Sequence, residues 1–182
     1  GHAKSIYVST GGNDSTGKGT TSSPYKTIQR AHYDAAAGDV IYLKGGTYYP
    51  TKDEWIGSVN GTSSARITVQ SAPNEWAILD GSNNGNGTSV LIITSSYITV
   101  QYLEIRNSKD SGIRINGDNN IVENCNVQGS YRSGIWTKGS YNKVSRCAVW
   151  NNCKANSART ADSGWSAGID GYQCSYVSFS GN

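Results

Sequence analysis

Arg114, Trp136 and Asp170 occupy the same place in three Gly-Ile segments, Gly-Ile-Arg-Ile, Gly-Ile-Trp-Thr and Gly-Ile-Asp-Gly, and Ile92 holds that place before them. Side chains alternate between faces along a strand. With Ile113 and Ile115 pointing inward, Ile92, Arg114, Trp136 and Asp170 form one outward column. Neighbouring loops add Lys109, Tyr131, Arg132, Lys154, Arg159, Asp162 and Trp165. A guanidinium can grip a carboxylate through two parallel hydrogen bonds, and an indole offers a flat apolar surface with a polar tip. Arg114 and Arg132 therefore suit carboxylates, and Trp136 and Trp165 suit sugar rings, with Tyr131 in the same wall. The alternative is a solvated sheet surface, against which the exposure of a large apolar ring at Trp136 counts.

A repeat positions these residues. Gly-Ile or its equivalent recurs at Leu91, Ile113, Ile135 and Ile169; a second apolar landmark at Val100, Val122, Val144 and Phe179; a third at Leu103, Cys125 and Cys147. The period is about 22 residues. Three short apolar segments per period, separated by Gly, Asn and Ser, are the mark of a solenoid whose turns are coils of parallel strands. The expected fold is an all-β parallel β-helix of roughly six coils, forming one domain over residues 1–182. The period then stretches: Asn151 to Ala167 inserts 12 extra residues at one corner. Long loops in economical solenoids tend to lie on the binding face.

Upstream, Pro24 and the spacing of Ile28, Ala31 and Ala35 predict a short amphipathic helix over about residues 24–37, ending at Gly38. Such a helix would cap the first coil, with His32 on its surface. Strands follow at 40–43, 45–49, 66–70, 77–81 and 89–94, and residues 50–64, with Trp55, read as a covering loop. Cys125 and Cys147 fall one coil apart and read as stacked, buried thiols. A bridge between Cys153 and Cys174 is an open alternative to free thiols there.

The chain carries 22 Gly and a net charge of +3. Its Lys and Arg are scattered rather than clustered, which argues against a nucleic-acid interface and is compatible with an acidic partner. No apolar run approaches the length of a membrane span. The Gly-, Asn- and Ser-rich composition resembles that of secreted or cell-surface proteins.

The segments IYVSTGGNDSTGKGTTSSPYKTIQRA, AGDVIYLKGGTYY and ARITVQSAPNEWAILDG, with the coils GIRINGDNNIVENCNV and GIWTKGSYNKVSRCAV, resemble the secreted right-handed β-helix polysaccharide lyases, most closely the family nine pectate lyases. The resemblance implies calcium-dependent β-elimination of an acidic polysaccharide such as pectate, with aspartates holding Ca²⁺ and a lysine as base. The family's lysine has no counterpart here; if this chain turns over such a substrate, its own residues offer Lys154 or Arg159 as base, Arg114 and Arg132 as carboxylate clamps, and Asp162 with Asp170 as metal ligands. Two other readings use the same residues: a non-catalytic carbohydrate-binding β-helix, and a structural surface-assembly module. Because the family's enzymes have further coils, this chain reads as an N-terminal portion. By register, Asn182 takes the place of Cys147. The last rung then leaves Val149, Ile169 and Phe179 open, an edge suited to self-association.

Overall fold

The computed structural model describes residues 3–154, 168–172 and 178–182. After β1 (Ser5–Val8), each coil contributes three strands. The first coil holds β2 (Val40–Leu43), β3 (Gly46–Tyr48) and β4 (Glu54–Ile56); the second, β5 (Ile67–Ser71), β6 (Ala77–Asp80) and β7 (Leu91–Ile93). The third holds β8 (Ile98–Gln101), β9 (Leu103–Arg106) and β10 (Ile113–Ile115); the fourth, β11 (Ile121–Glu123), β12 (Asn126–Gln128) and β13 (Ile135–Thr137). In the fifth are β14 (Lys143–Ser145), β15 (Ala148–Trp150) and β16 (Ile169–Gly171), and β17 (Ser178–Ser180) follows. First, second and third strands stack into three separate parallel sheets, in the orders β1-β2-β5-β8-β11-β14-β17, β3-β6-β9-β12-β15 and β4-β7-β10-β13-β16. This is an all-β, right-handed parallel β-helix. Among the described residues, no helix is long and apolar enough to cross a membrane.

Register turns the sequence repeat into a core. Ile41, Val69, Val100, Val122 and Val144 pair rung on rung and are fully buried. Leu79, Ile105 and Val127 make a second column, and Leu91, Ile113 and Ile135 a third. Each such side chain is worth about 1.5–3 kcal/mol relative to exposure. Cys125 and Cys147 continue this pattern as buried free thiols. The hydrogen-bonded Cys147 thiol, together with burial, pushes the Cys125 thiol well up. Cys174, the candidate partner of Cys153, lies outside the described residues.

The corners explain the wealth of Asn and Gly. Left-handed residues recur every 22 positions at each corner: Tyr97, Asn119 and Tyr141; Tyr102, Asn124 and Arg146; Asn107, Gly129 and Asn151. Asn tolerates this conformation better than other side-chain-bearing residues. Asn119, at φ 58°, tests the point. Asn119→Val forces a β-branched residue into the left-handed region and lowers stability by about 1–2 kcal/mol, whereas Asn119→Gly does not. Equal denaturation midpoints for the two variants would contradict this account.

Three expectations at the N-terminal end need correction. The helix α1 spans only Ile28–Tyr33, N-capped by Thr27, whose hydroxyl accepts from Arg30 N. Pro24 and Tyr25 lie before it, and Tyr25 pairs with Val8 instead. His32 is fully buried rather than on the cap surface, and its Nδ1 accepts from Ser58 N at 3.3 Å. Residues 50–64 are not simply a covering loop, because β4 within them founds the third sheet. Its alternation puts Glu54 and Ile56 inside and Trp55 outside.

At the other end, Phe179 pairs with Val144. Asn182 meets Cys147 as the register requires, its Oδ1 accepting from Cys147 N at 2.9 Å.

Candidate functional site

The third sheet carries the site because its outward positions share one register. Trp55 pairs with Ile92, Ile92 with Arg114, Arg114 with Trp136, and Trp136 with Asp170. At about 4.8 Å per rung, this column runs roughly 19 Å along the solenoid. The predicted column is therefore present, extended by Trp55, an exposed indole that the loop reading of 50–64 had concealed. Ile92 faces outward but is buried.

The loops beside this sheet stack as regularly as the strands. Tyr131 N donates to Ser108 O at 2.9 Å, Arg132 N to Asp110 O at 3.1 Å, and Cys153 N to Arg132 O at 2.9 Å. Asp110 and Arg132 are 22 residues apart, each preceding Ser-Gly-Ile, so they sit one above the other. That spacing was the available sequence signal for Asp110, a site residue the sequence reading missed.

Asp110 is 7% exposed, with its carboxylate held on three sides. Its Oδ2 faces Arg114 Nη1 at 3.4 Å and accepts from Ser89 Oγ at 3.3 Å, while Oδ1 faces Arg132 Nε at 3.4 Å. Two clefts meet at this triad. One, of about 240 Å³, is lined by Asp110, Ser111, Arg114, Arg132, Ser133, Trp136 and Tyr172. The other, of about 540 Å³, is lined by Asn86, Gly87, Lys109, Asp110, Arg114, Tyr131 and Arg132. Both arginines line both clefts. Behind them, burial pushes the Asp53 carboxyl up, Arg114 pulls it down and Asp110 adds to the rise.

Of the predicted binding residues, Arg114, Tyr131, Arg132 and Trp136 come together here. Trp136 is less open than expected, however. The Arg114 guanidinium lies 4.7 Å from its ring centroid, and Tyr172 stacks on it at 6.2 Å and 22°. These neighbours come from the rungs on either side of β13, so the indole is held between them rather than presented as a bare platform. Lys154 is exposed and outside both clefts, its backbone N donating to Ser130 O at 3.3 Å. Arg159, Asp162 and Trp165 lie outside the described residues.

A calcium site asks for six to eight oxygen ligands. No group of three His, Cys, Asp or Glu suited to a metal occurs among the described residues. Asp170 stands in the column beside Trp136, and Asp110 is committed to two guanidiniums and a hydroxyl. The described residues therefore assemble no carboxylate cluster for Ca²⁺, and Asp162, the second expected ligand, lies outside them.

Fold and site together define a parallel β-helix with arginine-lined clefts along one sheet face. The profile of Pel9A-like right-handed β-helix regions matches residues 6–182, and the chain belongs to that family. Pectate lyase PEL9 of Emericella nidulans is 43% identical over 79 residues, covering 43% of this chain and 19% of that protein. Among solved structures, pectate lyase Pel9A superposes with a TM-score of 0.77 at 22% identity, over 96% of this chain and 46% of that one. A rhamnogalacturonan lyase superposes with a TM-score of 0.74 at 19% identity, over 98% and 50%. The chain spans about half the length of these structures.

Proposed function

We propose that the trough binds an acidic polysaccharide and that the protein acts as a polysaccharide lyase on polyuronate such as pectate, at the cell surface or secreted. The observation carrying this reading is the pair Arg114 and Arg132, on successive coils and lining both clefts, in a chain of the Pel9A-like family. In β-elimination a base removes the proton on the carbon next to the carboxylate. A C=C bond forms as the adjacent C–O glycosidic bond breaks, and the leaving oxygen takes a proton. Charge builds on the carboxylate during proton loss, and guanidiniums aimed at it stabilise that charge. Arg114 and Arg132 fill this role in the proposal. Lys154 or Arg159 is the proposed base, and Asp162 with Asp170 are the proposed metal ligands.

The test is incubation with polygalacturonate, following the ultraviolet absorbance of unsaturated product, with binding to oligomers measured in parallel. Arg132→Ala and Arg114→Ala each weaken oligomer binding about 10- to 100-fold, the loss expected for a charged hydrogen bond. Neutral glycans binding as tightly as the uronate would sink the proposal. A non-catalytic carbohydrate-binding role is the second reading. It is favoured by the position of Lys154 outside both clefts, and it predicts the same arginine effects on binding without turnover.

A further inference from the structure

We infer that Asp110 is the positioning residue that makes Arg114 and Arg132 a single fixed clamp; the inference rests on the carboxylate-binding role proposed for those arginines. A nearly buried carboxylate in a trough meant for a polyanion is otherwise hard to explain, since its charge repels the ligand. Its contacts supply the explanation. Arg114 rises from strand β10 and Arg132 from the loop one coil further on, and both are long side chains with much rotamer freedom to lose on binding. Asp110 takes Arg114 Nη1 on one oxygen and Arg132 Nε on the other, each at 3.4 Å.

Asp110 is itself fixed. Ser89 Oγ donates to its Oδ2 at 3.3 Å, its backbone N donates to Ser108 Oγ at 3.3 Å, and its carbonyl accepts from Arg132 N at 3.1 Å. Arg114 is also steadied by the face of Trp136. The contacts to Asp110 use one nitrogen of each guanidinium, and among the described residues no other hydrogen-bond partner takes their remaining N–H groups, which can donate to a ligand. Ordering that would otherwise be paid on binding is done in advance.

This role and simple electrostatics predict opposite results for Asp110→Asn. Removing a negative charge from the trough should tighten polyanion binding if charge alone matters. A positioning role instead predicts affinity for polygalacturonate oligomers weaker by about 10-fold, the loss of a charge-assisted contact. In nitrogen-15 NMR the Nε–Hε resonances of Arg114 and Arg132 are expected to move together toward free-arginine positions in Asp110→Asn. Unchanged or tighter binding, with both resonances unmoved, overturns the inference. If Asp110→Asn does not fold, Asp110→Glu carries the test. It keeps the charge but displaces both guanidiniums, so affinity falls, and unchanged affinity overturns the inference. Were the unaltered protein to bind no polyuronate, the functional proposal would fail, while the arginine resonances would still decide what Asp110 does.

Discussion

Replacing Asn142 by Ala lowers the stability of the chain by about 3–5 kcal/mol, because it strands several buried polar groups at once. Asn142 is buried at the corner between the third and first sheets. Its Oδ1 accepts from Asn120 N at 2.8 Å, and its Nδ2 donates to Gly117 O at 2.9 Å and Thr137 Oγ1 at 3.1 Å. One coil earlier Asn120 does the same work, its Oδ1 accepting from Ile98 N at 2.8 Å and its Nδ2 donating to Ser95 O at 2.9 Å. The amides form a ladder satisfying backbone groups that the turn leaves unpaired.

Water cannot replace them easily, because the backbones are close. A Cβ at Gly139 would stand 1.9 Å from Gly117 O, and one at Gly117 would stand 2.2 Å from Ser95 O. Asn142→Asp keeps the acceptor but loses the donor and buries a charge, so it fares no better. Hydrogen exchange at Asn120 N, with denaturant titration, reads the effect. A loss under about 1 kcal/mol, with Asn120 N still protected, would contradict the account.

The second large effect concerns pH and the seat of α1. Glu54 occupies the first rung of the column that continues as Leu91, Ile113 and Ile135, so a carboxyl stands at the head of an apolar stack. Its Oε2 accepts from Gln29 N at 3.0 Å. Burial nevertheless pushes its pKa up to about 7 from 4.5. The neighbouring His32 is driven by burial the other way, to about 4 from 6.5.

These shifts act with opposite signs over the same range. Glu54 binds its proton more tightly when folded, so its contribution is full below pH 4.5 and lost as pH rises through 7. His32 is held neutral, so its contribution is full above pH 6.5 and lost as pH falls through 4. Each shift corresponds to about 3 kcal/mol, and in the unaltered chain they largely offset. Glu54→Gln exposes the imbalance. Its amide oxygen can still accept from Gln29 N, so at pH 8 the variant is more stable than the parent by about 2–3 kcal/mol. Relative to the parent, it loses that advantage on acidification toward pH 4.5. Identical pH profiles for variant and parent would remove Glu54 from the account.

Much of the architecture was legible because a solenoid writes its contacts at a constant interval. Val122 packs on Val100 and Val144 for the same reason that it lies 22 residues from each. The groove column could be counted the same way. Asp110 was equally countable against Arg132, but spacing alone does not say which loop carboxylate meets the two arginines. Trp55 was missed for a different reason. The first coil has a spacing of its own, so β4 shows no period to read.

Composition and period alone determined that this chain winds into stacked parallel strands and that Arg114, Trp136 and Asp170 share one face, since pairing at a fixed register leaves alternation no other choice. Only the tertiary structure decided how those side chains are used. It placed Trp136 between Arg114 and Tyr172, joined two arginines from successive coils through one carboxylate, and buried His32 of α1 and Glu54 of β4. Those outcomes depend on which groups lose water and which long side chains find a partner, and neither is set by spacing along the chain.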